Sequence, residues 1–177
     1  MKNRKTEVVT GKVILNYPKL FESYSYDGKS APRYSVQILI PEEEVETLEN
    51  IQAAIDAAVE IGKEREGEAF DSPDLKLPLR NGNEEHPFDE LYQNTVFFNA
   101  TAKIQPNVCD ENGNEMLGWH DDVQSGDYAR VYINFTPYSF DDNKGVTCTL
   151  YAAQILSESR WTEIRSNPKE VFGIEKK

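Results

Sequence analysis

The stretch from Ser125 to Phe140, Ser-Gly-Asp-Tyr-Ala-Arg-Val-Tyr-Ile-Asn-Phe-Thr-Pro-Tyr-Ser-Phe, alternates two residue sets with the period of a β-strand. Ala129, Val131, Ile133 and Phe135 fall on one side of the pleat, and all are apolar. Tyr128, Arg130, Tyr132 and Asn134 fall on the other, where rings alternate with a guanidinium and an amide. A helix would scatter both sets around its axis, so the chain must supply a sheet with a dry face for the first set. The second set predicts a wet face rich in stacking and hydrogen-bonding groups.

Other segments follow the same rule. Glu7 to Leu15 predicts a first strand, with Gly11 marking a bulge or a curve. Asn16 to Pro32 predicts a long loop carrying Tyr17, Phe21, Tyr24 and Tyr26 beside Lys19 and Lys29. Arg33 to Ile40 is a second strand, with Tyr34, Val36, Ile38 and Ile40 on one face and Arg33, Ser35 and Gln37 on the other. Pro41 opens a helix over about 42–62, whose stripe of Val45, Leu48, Ile51, Ile55 and Val59 packs on the sheet. Gly62 or Gly67 ends it.

Periodicity then disappears over 68–94, an insertion punctuated by Pro78, Asn81-Gly82 and His86-Pro87. Leu75, Leu77 and Leu79 pin it to the fold, so that Lys76 and Arg80 are presented. Thr95 to Val108 resumes the alternation: Phe98, Ala100, Ala102 and Ile104 against Phe97, Asn99, Thr101, Lys103 and Gln105. Cys109 to Glu115 is a tight turn, and Trp119 beyond it is expected to plug the core. A hairpin loop over 137–145 carries Tyr138, Phe140 and Lys144, and Gly145 to Ile155 closes the sheet. Residues 1–156 thus form one domain; 157–177 form a helical turn and tail, a candidate oligomer contact such as a homodimer.

The charge of the chain is −12, which at first argues against a polyanionic partner. Its distribution reverses that judgement. Lys and Arg outnumber Asp and Glu in 1–40, whereas acids dominate 41–68, on the helix. With a Debye length of about 8 Å, a local basic groove is felt more strongly than a distant acidic helix. No apolar run approaches the roughly 20 residues of a membrane span, so no membrane contact and a cytoplasmic location are expected.

Catalytic and metal readings are weak. Cys109 and Cys148 lack metal spacing and read as free thiols. His120, Asp121 and Asp122 are adjacent side chains that rarely converge on one ion. Asp110-Glu-Asn-Gly-Asn-Glu has a calcium loop's glycine without its full pattern. Neither Walker motif, Gly-x-Ser-x-Gly nor Cys-x-x-Cys is present. A non-enzymatic chain without cofactor or metal is the expectation.

A sequence-tolerant binder of single strands needs cations along the phosphates and rings for the bases. Arg33, Lys103 and Arg130, with Lys76, Arg80 and Lys144 from the loops, are the candidate phosphate contacts. Tyr132, Phe97, Tyr138 and Tyr24 are the candidate stacking rings, and Asn99, Asn134 and Gln105 add hydrogen bonds. The competing class is a structural, assembly or protein-interaction β-module whose aromatic face binds protein.

Five strands, one helix and rich loops form a mainly β pattern consistent with an OB-fold-like antiparallel barrel carrying one amphipathic helix and long insertions. Thr10-Gly-Lys-Val-Ile-Leu-Asn-Tyr-Pro-Lys-Leu-Phe21, Tyr34-Ser-Val-Gln-Ile-Leu-Ile-Pro41, Leu77-Pro-Leu-Arg-Asn-Gly82, Phe97-Phe-Asn-Ala and Ser125 to Phe135 occur in this order. Together, over roughly 8–156, they resemble a family of phage and prophage proteins similar to the OB-fold single-stranded-DNA-binding proteins of T7-like phages. The resemblance implies a coat for exposed single-stranded DNA in replication, recombination or repair. T7-like proteins end in an acidic tail closed by an aromatic residue, whereas this chain ends Val171-Phe-Gly-Ile-Glu-Lys-Lys177. The acidic helix is therefore the substitute surface for phage or host replication and recombination proteins.

Overall fold

The computed structural model describes residues 5–71, 73–118, 123–161 and 168–174. Its strands are β1 (Glu7–Val9), β2 (Val13–Tyr24), β3 (Arg33–Pro41), β4 (Arg80–Asn81), β5 (Thr95–Ala102), β6 (Asn107–Cys109), β7 (Asp127–Phe140) and β8 (Asn143–Ser159). Helix α1 (Val45–Glu66) follows β3, α2 (Gly82–Glu85) follows β4, and α3 (Pro168–Val171) closes the described chain. The fold is mainly β, with a single sheet ordered β1-β7-β2-β3-β5-β8-β6 and β4 on the side of β5. Because β7 also pairs with β8, the pairings β7-β2-β3-β5-β8 return to their start. The β5–β8 and β6–β8 pairings are parallel and the rest antiparallel, which corrects the expectation of a wholly antiparallel sheet.

The alternation rule holds for the dry side. Val36, Ile38, Ile40, Phe98, Ala100, Ala129, Val131, Ile133 and Phe135 are all buried in one core. Helix α1 closes it with Ile51, Ala54, Ile55 and Ala58, flanked by Leu48 and Val59. Val45 is 56% exposed. It stands nine residues, about two and a half turns, from Ala54 and so faces the opposite way.

The helix runs to Gly67, whose φ of +64° suits a residue without a Cβ. Gly62 has another role: a Cβ there would lie 2.2 Å from the buried Phe70 ring. Gly62→Ala therefore displaces Phe70, and that overpacking costs roughly 1–3 kcal/mol, more than the roughly 1 kcal/mol that alanine gains in helix propensity. A thermal melt of the variant is expected to show the lowered midpoint.

Two loop expectations and one strand end are corrected. The segment over 16–32 is largely strand, since β2 continues to Tyr24, and only its tip turns. Of its two register shifts, the one between Asn16 and Lys19 accommodates Pro18 and the left-handed Tyr17 (φ 48°), and the other lies between Lys19 and Tyr24. Residues 137–145 are likewise strand up to a two-residue turn at Asp141, whose φ is 51°. The strand expected to reach Val108 stops at Ala102, so Ile104 is 85% exposed instead of buried, and β6 resumes beyond Pro106 to pair with β8.

Much of the expected wet face is dry. Ile14, Leu39, Phe97 and Tyr128 point away from the main core, yet they form a second one with Leu91 and Tyr92 of the insertion, closed by Leu156 and Trp161. The insertion is a lid. His86 stacks on Tyr92 at 4.0 Å, and the Trp161 indole N–H donates to the Ser125 carbonyl at 2.9 Å. Trp119, His120, Asp121 and Asp122 lie outside the described residues.

Candidate nucleic-acid interface

The register of β3 against β5 sets Leu39 beside Phe97, Gln37 beside Asn99 and Ser35 beside Thr101. The first pair lies under the lid, and the face opens from the second onward. Three depressions follow one another there. The first, about 470 Å³, is bordered by Lys76, Arg80, Tyr138 and Asn99. Asn99 also borders the second, about 260 Å³, with Tyr17, Tyr26, Gln37 and Thr101. Thr101 also borders the third, about 440 Å³, with Arg33, Lys103, Gln105 and Tyr151.

Shared walls make these one track. Its described lining carries four cations and four tyrosines and no carboxylate, in a chain with 31 Asp and Glu. That segregation is what a phosphate path through an acidic protein requires, and exposed rings beside it suit bases of any identity.

The track rests on supports that orient its side chains. At its middle, the buried Asn16 amide donates to Tyr92 Oη at 2.9 Å and to Gln37 Oε1 at 3.1 Å, and Gln37 Nε2 donates to Asn99 Oδ1 at 3.3 Å. Tyr92 also donates to Gln37, and burial pushes its phenol pKa up, so the donor keeps its proton. With its oxygen occupied by Gln37, Asn99 has its amide hydrogens to offer the track. At one end Arg80 grips Glu85 through Nε (2.9 Å) and Nη2 (2.6 Å) and lies 4.8 Å from the centre of the Phe97 ring. The hydrogen bonds from Arg80 hold the Glu85 carboxyl below its ordinary pKa.

The β2–β3 hairpin tip carries exposed rings on a built frame. Tyr24 stands opposite Arg33 and meets Tyr26 edge-on at 5.1 Å, with the Lys19 ammonium 5.7 Å from the Tyr24 ring centre. Asp27 ties the tip, accepting from the Ser30 and Lys29 N–H groups at 2.7 and 2.8 Å. These bonds, that from Ser30 foremost, hold its carboxyl well below the usual range.

Of the residues expected in the site, Arg33, Lys76, Arg80, Asn99, Lys103, Gln105 and Tyr138 border the track, and Tyr24 contacts it through Tyr26. Lys144 is half-buried next to it, its carbonyl accepting the Lys76 N–H at 2.9 Å. Two do not fit. Phe97 is 0% exposed, with Tyr92, His86 and Arg80 around its ring. Asn134 is 4% exposed and donates to Tyr151 Oη at 3.0 Å, so it holds a ring that borders the track. Arg130 and Tyr132 border a different depression. Tyr151 was not among the expected site residues, although the alternation of Thr147, Thr149 and Tyr151 along β8 carries the signal for it.

Among the described residues no cluster of His, Cys, Asp or Glu is placed to hold a metal ion, and no helix is long and apolar enough to cross a membrane. Burial pushes the Cys148 thiol pKa far up, so it is an inert core residue.

Comparison with known proteins places this architecture. The single-stranded-DNA-binding protein from bacteriophage Enc34, solved in complex with ssDNA, superposes with a TM-score of 0.69 at 18% identity, over 88% of this chain and 92% of that one. The T7 protein gp2.5, a single-stranded DNA binding protein, gives 0.62 at 16% identity, over 94% and 99%. A protein designated p50, of Acyrthosiphon pisum secondary endosymbiont phage 1, is 26% identical over 159 residues, 82% of this chain and 80% of its own. The family profile described as Enterobacter phage Enc34, ssDNA-binding protein, matches residues 6–177, and the chain belongs to that family.

Proposed function

We propose that this protein coats single-stranded DNA without sequence preference, along the track from Lys76 and Tyr138 to Arg33 and Tyr151. The observation that carries the reading is the absence of any carboxylate among the described residues lining that track, in a protein of net charge −12. Family membership and the likeness to two phage proteins that bind single strands support it. The ring of pairings among β2, β3, β5, β8 and β7, with a parallel β5–β8 step, supports an OB-type barrel. In such a barrel the second and third strands and the first and last hairpins face the nucleic acid. Here those are β3, β5, the β2–β3 tip and the β7–β8 hairpin, the elements that border the track. The protein acts as a binder and not a catalyst, in the host cytoplasm, during phage replication, recombination or repair.

A fluorescence titration with oligo-dT tests this. Tight binding that weakens steeply with salt, and weaker binding to duplex, is expected; no binding at low salt would point to an assembly module. Magnesium added to the same samples is expected to leave the oligonucleotide uncut.

A further inference from the structure

We infer, building on the single-strand reading above, that the bound strand continues past Tyr151 into a fourth depression on the outer face of β7 and β8. This depression of about 360 Å³ is bordered by Val9, Asn107, Arg130, Tyr132, Ala152 and Gln154. Asn107 is also a wall of the third depression, so the two are continuous.

A bulge joins them. In the β7–β8 register Ile133 faces Leu150 and Tyr132 faces Ala152, so Tyr151 is the extra residue. A bulge bends its strand and shifts the alternation by one. The outward set therefore changes from Thr147, Thr149 and Tyr151 to Ala152 and Gln154, and the surface turns the corner at Tyr151. The Tyr151 ring meets Tyr132 at 5.1 Å and 73°, one ring on each side of that corner. Both are tethered at the far end, Tyr151 by Asn134 and Tyr132 by Glu7 at 2.8 Å. Arg130 is exposed, with its Nε donating to the Thr10 carbonyl at 3.1 Å.

The lining differs from the track in a way that defines its role. It has one cation and one carboxylate, Arg130 and Glu115, around an apolar floor of Val9, Ala152 and Ala153. Such a surface takes bases more than phosphates, so it lengthens the footprint with little added salt dependence.

A ladder of oligo-dT lengths across the roughly 4–16 nucleotides typical of such folds tests this. Arg130→Glu and Ala152→Glu, each checked by its melting curve, are compared with the wild type. Both variants are expected to bind the shortest competent oligonucleotide as the wild type does. On long ones they lose roughly tenfold, the scale of one stacked base. Equal binding of wild type and variants at every length overturns the extension while leaving the central track standing. An equal loss at all lengths overturns it too, because the depression would then belong to the central site. Failure of the wild type to bind any length removes the single-strand reading itself.

Discussion

Replacing Arg33 and Lys103 together with alanine is expected to lower the affinity for oligo-dT by about 25-fold at 0.1 M salt. Each phosphate contact on a single strand contributes about 0.7 to the slope of log K against log salt, so two contribute about 1.4, which is the 25-fold at one decade below 1 M. The slope is expected to flatten by the same 1.4. Both side chains are exposed at the rim of one depression, so the melting temperature is expected to stay unchanged. A salt titration of the double variant checks all three quantities at once. An unchanged slope would show that the phosphates do not run past the end of β5.

Phe97→Ala is expected to do the reverse. The ring is wholly buried between the sheet and the lid, so its removal leaves a cavity costing about 3–5 kcal/mol. For a domain of this size that lowers the melting temperature by roughly 6–20 °C. Affinity measured well below the transition is expected to fall by no more than about threefold, whereas a stacking ring contributes about 1–3 kcal/mol to binding and little to stability. Calorimetry paired with the oligo-dT titration separates the two roles.

The contrast between Phe97 and Tyr151 explains what the sequence conceals. Both follow the outward alternation of their strands, and one is the centre of a second core while the other is a track ring. Period-2 patterning states which side of the sheet a residue occupies, and not what lies over it. The cover over Phe97 is Tyr92 and His86 of an aperiodic insertion, and the second core that holds both Phe97 and Tyr128 is also packed by Trp161, distant in sequence from either strand. Neither has any local signature in the strand it covers. Arg80 is a local case instead: its sequence position beside a turn promises a free cation, and the short helix α2 brings Glu85, five residues on, back onto it.

Local alternation by itself determined the strands β3, β5, β7 and β8, the inward set that packs on α1, and the presence of a side carrying rings and cations. Backbone geometry alone dictates those, because each needs only its immediate neighbours in sequence. Which outward residues meet solvent, and that they join into one carboxylate-free path among the described residues, was decided only by tertiary structure. That outcome depends on contacts between segments far apart in the chain, such as the Tyr92 hydroxyl on Gln37, 55 residues away, or Asn134 on Thr6, 128 residues away.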